Sequence, residues 1–140
     1  MPQIIKITLL IMSAVLISTC YGINGQPLEL VGTWECNTVN DDGTDKTEID
    51  HTLTITDNGY FTWELEFDNG SMTTYEGNVI GDVTITPKII TFIVEDTTIE
   101  YASGRKASRD TKTTWTYDYY LSYSNFKTKL AMDGFTFVKQ

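Results

Sequence analysis

Two Asn-Gly turns on either side of one alternating segment constrain this chain more than any other feature. Asp57-Asn58-Gly59 and Asp68-Asn69-Gly70 supply residues that readily take the positive φ of tight hairpin turns. Between them, Tyr60 to Phe67 puts Phe61, Trp63, Leu65 and Phe67 on one face, with Thr62, Glu64 and Glu66 on the other. A period of two with one apolar face predicts a half-buried strand. Upstream, Glu48 to Thr56 places Ile49, His51, Leu53 and Ile55 on one face, and downstream Met72 to Ile80 forms a weaker strand around Tyr75 and Val79. Three strands and two turns predict an antiparallel meander.

The rest of the chain continues in the same way. Gly81-Asp82 turns into a short strand at Val83 to Thr86, and Pro87-Lys88 breaks the pattern. Ile89 to Glu95 is nearly continuous apolar sequence, as expected where both faces of a strand are covered. Thr97 to Ala102 is another short strand, followed by a basic loop at Ser103 to Arg109. Thr113 to Tyr123 is the longest alternating run, with Trp115, Tyr117, Tyr119, Leu121 and Tyr123 on one face. Ser124-Asn125 turns into Phe126 to Met132, and Asp133-Gly134 turns into Phe135 to Val138. The count is eight to ten strands with no convincing helix. The fold expectation is an all-β, antiparallel up-and-down barrel, which closes the sheet and removes exposed edges. A β-sandwich is the alternative.

The first strand opens the domain. Leu28, Leu30, Gly32, Trp34 and Cys36 share one side, and Gly32 allows close approach of another backbone or a large ring. Gly32-Thr33-Trp34 resembles the Gly-x-Trp signature on the first strand of lipocalins and of small bacterial lipocalin-like lipoproteins. The resemblance covers roughly residues 28 to 140 and implies a barrel that binds a small apolar or amphipathic ligand. In lipocalins an arginine late in the chain typically packs over this tryptophan. Here the last basic residues are Lys127, Lys129 and Lys139.

What precedes that strand reads as an address. Lys6 leads into an apolar run, Ile7 to Ile17, that is too short to span a bilayer and suits a signal-peptide core. Ile17-Ser18-Thr19-Cys20 resembles a bacterial lipobox, although Thr19 departs from the usual Gly, Ala or Ser. The resemblance implies residues 1–20 as a lipoprotein signal, Cys20 as the lipidated site and membrane contact, and 21–27 as a tether to the 28–140 barrel domain. The expected location is the bacterial outer membrane or cell surface. The alternative is ordinary cleavage and a periplasmic or secreted protein, in which case Cys20 and Cys36 could pair.

Beyond the signal segment the chain holds nineteen acids and nine bases. Such a surface repels phosphate backbones, so nucleic acid is not an expected partner. Residues 41–100 carry fourteen acids and two bases, whereas residues 101–140 carry three acids and seven bases. Either neighbouring strands pair their charges, or the surface is two-faced and recognises a charged partner.

No catalytic pattern emerges, and the chain reads as a non-enzyme without a cofactor or metal. Asp41, Asp42, Asp45 and Glu48 do not follow calcium-loop spacing. The lone His51 could act as a general base but sits among inward apolar residues, which favours a buried, hydrogen-bonded role. Two binding readings remain. In the first, an envelope-anchored barrel takes a small apolar ligand, with Trp34, Phe61, Trp63, Tyr75, Trp115, Tyr117, Tyr119 and Tyr123 as candidate contacts. In the second, the interior is packed and the charged surface binds another protein. Inward crowding of Phe61, Trp63, Phe92, Trp115, Tyr117 and Phe137 would favour the second.

Overall fold

The computed structural model describes residues 27, 29–44, 46–68, 75–109 and 112–140. Cys20, the signal segment, residues 21–26 and the Asn69-Gly70 turn lie outside the described residues. Among those described there are nine strands and no helix. They are β1 (Gly32–Asp41), β2 (Lys46–Ile55), β3 (Tyr60–Asp68), β4 (Tyr75–Ile85) and β5 (Ile89–Tyr101), then β6 (Lys106–Arg109), β7 (Thr113–Ser124), β8 (Lys127–Met132) and β9 (Phe135–Lys139). Neighbours in sequence pair antiparallel except β6 and β7, which both pair with β5; β1 pairs β9, so the sheet closes on itself. β6 and β7 lie one after the other along the same edge of β5, so together they fill one of the eight wall positions. The result is a closed, up-and-down, lipocalin-like barrel. Followed once around the wall, the pairing returns to β1 displaced by about twelve residues, a stagger that tilts the strands steeply.

One end is plugged. The chain turns through 27–30 before entering β1, and Leu30 is fully buried there. The Trp34 indole N–H donates to the Leu30 carbonyl at 2.9 Å, so the buried ring has no unsatisfied donor. Lys139 lies over the Trp34 ring, its Nζ 5.2 Å from the centroid, and donates to the Glu29 carbonyl at 2.8 Å. A lysine thus occupies the place where the resemblance calls for an arginine, supplying a cation–π contact and a backbone bond together. The first strand is shorter than its alternation suggests, because residues 29 and 30 belong to this turn.

Two other sequence expectations change. Gly81-Asp82 is no turn. β4 runs straight through it, and β5 takes up the irregularity with one extra residue, Glu95, between Val94 (opposite Gly81) and Asp96 (opposite Ile80). A Cβ at Gly81 would overlap the Ile93 carbonyl oxygen, so only glycine allows this bulge. The bulge also joins the two strands expected at 89–95 and 97–102 into one and switches which residues point inward. Inward positions are Ile90, Phe92 and Val94 before it, then Thr97 and Ile99 after it. Ile89 and Ile93 are not covered by a second layer: each is 39% exposed on the outer face.

Gly81→Ala is expected to destabilise the barrel by roughly 3 kcal/mol or more, as strain at a closed backbone contact. A urea midpoint unchanged from the parent would show that the bulge is not rigidly held.

Candidate functional site

Inside the barrel the aromatic residues stack on one another. Trp63 is the hub, with ring centroids of His51, Phe92, Trp115, Phe135 and Phe137 at 6.1, 5.8, 6.3, 6.1 and 5.7 Å. Phe61 meets Phe92 edge-on at 4.7 Å. Most of these are tilted or edge-to-face arrangements, the geometry that aromatic quadrupoles prefer. They form because β2, β3, β5, β7 and β9 each place alternate large residues on the same face.

The candidate ligand contacts are accordingly divided. Trp34, Phe61, Trp63 and Tyr119 are buried in the core, and Tyr119 also donates its hydroxyl to the Thr86 carbonyl at 2.9 Å. Trp115 and Tyr117 point inward but are half-buried, and burial raises the Tyr117 phenol above its ordinary value. Tyr123 stands on the surface, 70% exposed. The main chain of Tyr75 lies in β4, and its side chain is outside the description. Further inward residues at the unplugged end, Ile49, Leu65, Phe67, Ile99 and Phe135, are also half-buried.

His51 is the buried polar group in this ring cluster. The Trp63 indole N–H donates to its Nδ1 at 3.3 Å, which leaves the proton on Nε2 to be donated to Thr38 Oγ1 at 2.9 Å. Both nitrogens are occupied, so the imidazole is a satisfied core group and offers no free base to a substrate. Burial lowers its pKa from the ordinary 6.5, partly opposed by neighbouring Asp50. Cys36, its cross-strand partner, has its thiol pushed up by burial, opposed by a Thr136 backbone bond, and is not poised as a nucleophile.

The outer face holds a feature that the sequence did not single out. Register aligns Asp50, Glu66, Glu76 and Glu100 in one row across β2, β3, β4 and β5, and only Lys106 of β6 ends it with a positive charge. The adjacent row runs Thr52, Glu64, Asn78, Thr98 and Ser108. Residues of both rows line a surface groove of about 440 Å³. Lys106 pairs with Glu100 at 3.1 Å, and Asn37 donates to Asp50 at 2.6 Å. That one ion pair is what links the basic last segment to the acidic middle among the described residues, so general cross-strand charge pairing is not what the structure shows. The signal missed in sequence was register: four acids on four different strands line up only once pairing is known.

No protein-family profile matches the chain, and no curated protein matches it in sequence.

Because folding holds His51 neutral, the unfolded chain binds the extra proton between the depressed native pKa and 6.5. This contribution to stability is complete above pH 6.5 and is lost as the pH falls through that window. In a His51→Gln variant the component should vanish, so urea midpoints measured between neutral and mildly acidic pH should fall less than in the parent. Parallel pH profiles for the two proteins would contradict the assignment.

Proposed function

We propose that this protein is an exported, envelope-anchored interaction protein that binds a basic segment of another protein in the acidic groove. The observation that carries this reading is the carboxylate row at Asp50, Glu66, Glu76 and Glu100. Like charges directly opposite one another on neighbouring strands destabilise a sheet. A sequence selected for stability alone would interleave lysines, as it does at Lys106. A cationic partner lying across the strands would relieve the repulsion. The packed ring core supports the same reading, because it leaves the buried candidate contacts no surface to offer a ligand. The export segment and Cys20 support the address.

The test is titration with a short lysine- and arginine-rich peptide, followed calorimetrically. Binding should weaken steeply with salt, since exposed charges are screened beyond a Debye length of about 10 Å at moderate ionic strength. Glu66→Gln with Glu76→Gln should cost about tenfold in affinity, two exposed charges at somewhat under 1 kcal/mol each. Asp57→Asn, in the β2–β3 turn at the other end of the barrel, serves as the control and should change little. Equal loss in the control, or no salt dependence, would rule out the groove.

A second reading rests on a separate observation: Leu65, Phe67, Ile99, Trp115 and Tyr117 face inward yet stay half-buried. A small amphipathic ligand could rest on that surface, above the Trp63 hub. Native mass spectrometry of protein purified without detergent would show an extra mass that disappears on denaturation. A clean apo mass, unchanged by fatty acids, would remove this reading and leave the first standing.

A further inference from the structure

The hairpin of β7 and β8 does not end with the barrel wall. Beyond Asp118, β7 has no ladder partner in β5, and β8 meets β9 only from Lys129 onward. Tyr123, Ser124, Lys127 and Thr128 therefore pair only within the hairpin, which projects past the plugged end. Its side chains are not those of a solvated turn. Phe126 at the tip is 94% exposed, with Tyr123 and Tyr120 at 70% and 74%. Lys127 and Lys129 stand on the strand leaving the tip.

The tip is also strained. Asn125 and Phe126 have φ of 52° and 61°, the left-handed pair that a two-residue hairpin turn requires. The second position ordinarily belongs to glycine. A phenyl side chain held there, wholly in water, serves neither the turn nor the core. Such local conflicts mark places where another requirement has decided the residue.

We infer that the β7–β8 tip is a membrane-docking element, inserting Phe126 and Tyr123 at the lipid–water boundary while Lys127 and Lys129 meet anionic headgroups. Aromatic side chains favour that boundary, and lysines there keep the ammonium among the phosphates. Position also argues for a bilayer. Residues 1–26 join the domain at the 27–30 turn, and a shallow surface shared by Glu29, Tyr123 and Thr128 sets that junction beside the hairpin. The chain that leads to the expected anchor thus enters on the side where the aromatic tip projects. Acids toward this end are Glu29, Glu35, Asp57, Asp82, Glu95 and Asp118, and Lys127 shares a surface with Glu35 and Asp50, but none lies within the hairpin between Tyr119 and Met132. The inference does not depend on acylation, nor on the groove's taking a basic partner.

The experiment uses the chain carrying Cys20→Ala, so that no acyl group contributes, and sedimentation with vesicles of phosphatidylethanolamine and phosphatidylglycerol. The parent should cosediment. Phe126→Gly should reduce partitioning by at least about tenfold, in line with exposing one large apolar side chain, while raising thermal stability because glycine suits the turn. Lys127→Gln with Lys129→Gln should each remove about fivefold on anionic vesicles and little on phosphatidylcholine. Phe126→Trp should show a blue-shifted emission component on anionic vesicles, quenched by brominated lipid. The inference is overturned if the parent stays in the supernatant, or if Phe126→Gly binds as the parent does. It is equally overturned if Phe126→Trp emission is unmoved.

Discussion

The barrel depends on a short seam. β1 pairs with β2 along all ten of its residues but with β9 only at Trp34–Lys139 and Glu35–Val138. Two ladder positions would be a weak closure by themselves. The seam holds because its side chains act at the same point. Trp34 fills the end of the core, its N–H is satisfied by Leu30, and Lys139 covers the ring while bonding to Glu29. One residue further, at Cys36, the β1–β9 register has already ended. Sheet closure, end plug and first-strand motif are thus one interaction, which is why Gly32-Thr33-Trp34 is so informative in the sequence. Gly32 has φ 133°, and a Cβ there would come within 3.0 Å of the Lys139 side chain.

From this plugged end the interior changes character. The residues nearest the plug are fully buried, the middle is a network of rings around Trp63, and the inward residues beyond it are half-buried. His51 sits at the transition, fixed by one indole and one hydroxyl. A cup filled this far with rings is stabilised by burial and edge-to-face contacts, and its remaining free inner surface is confined to one end. On the outside, by contrast, Glu66 and Glu76 stand directly opposite one another without an intervening base.

The parts of this architecture that sequence revealed are those set by local chemistry. The Asn58-Gly59 and Asp133-Gly134 turns, the alternation in Tyr60–Phe67 and Thr113–Tyr123, and the inward set Phe61, Trp63, Phe92, Trp115, Tyr117 and Phe137 all follow from residues close together in the chain. What escaped was set by pairing at a distance. The bulge at Glu95 answers to Gly81 on another strand, and Ile93, in a continuous apolar run that suggested double burial, is exposed because no second layer covers the outer face there. The basic stretch at Lys106–Arg109 reads as loop but is drawn into a strand by β5. The carboxylate row is invisible in any single segment, because each strand contributes one member. In sequence Phe126 reads as the first residue of a strand, and only its φ and exposure reveal it as a tip.

The two ends of the molecule can now be related. The acidic row uses the early part of β2, the late part of β3, the early part of β4 and the late part of β5. All four lie away from the Gly59 and Pro87 turns, at the end opposite the aromatic hairpin. The bases of the last segment are divided between Lys106 and Arg109 on β6, beside the row, and Lys127 and Lys129 on the hairpin. An acidic groove held beside anionic headgroups would be repelled by them and would compete poorly for a cationic partner. Glu66, Glu76 and Glu100 avoid that conflict by standing away from the hairpin, whereas Asp50 shares a surface with Lys127 and Glu35. With the tip at a bilayer, the Glu66, Glu76 and Glu100 part of the groove would lie furthest from the headgroups, whose field is screened over about 10 Å at moderate salt. Pairing relieves the row only at its two ends, where Lys106 meets Glu100 and Asn37 donates to Asp50, so the like-charge repulsion is concentrated at Glu66 and Glu76, which stand directly opposite one another.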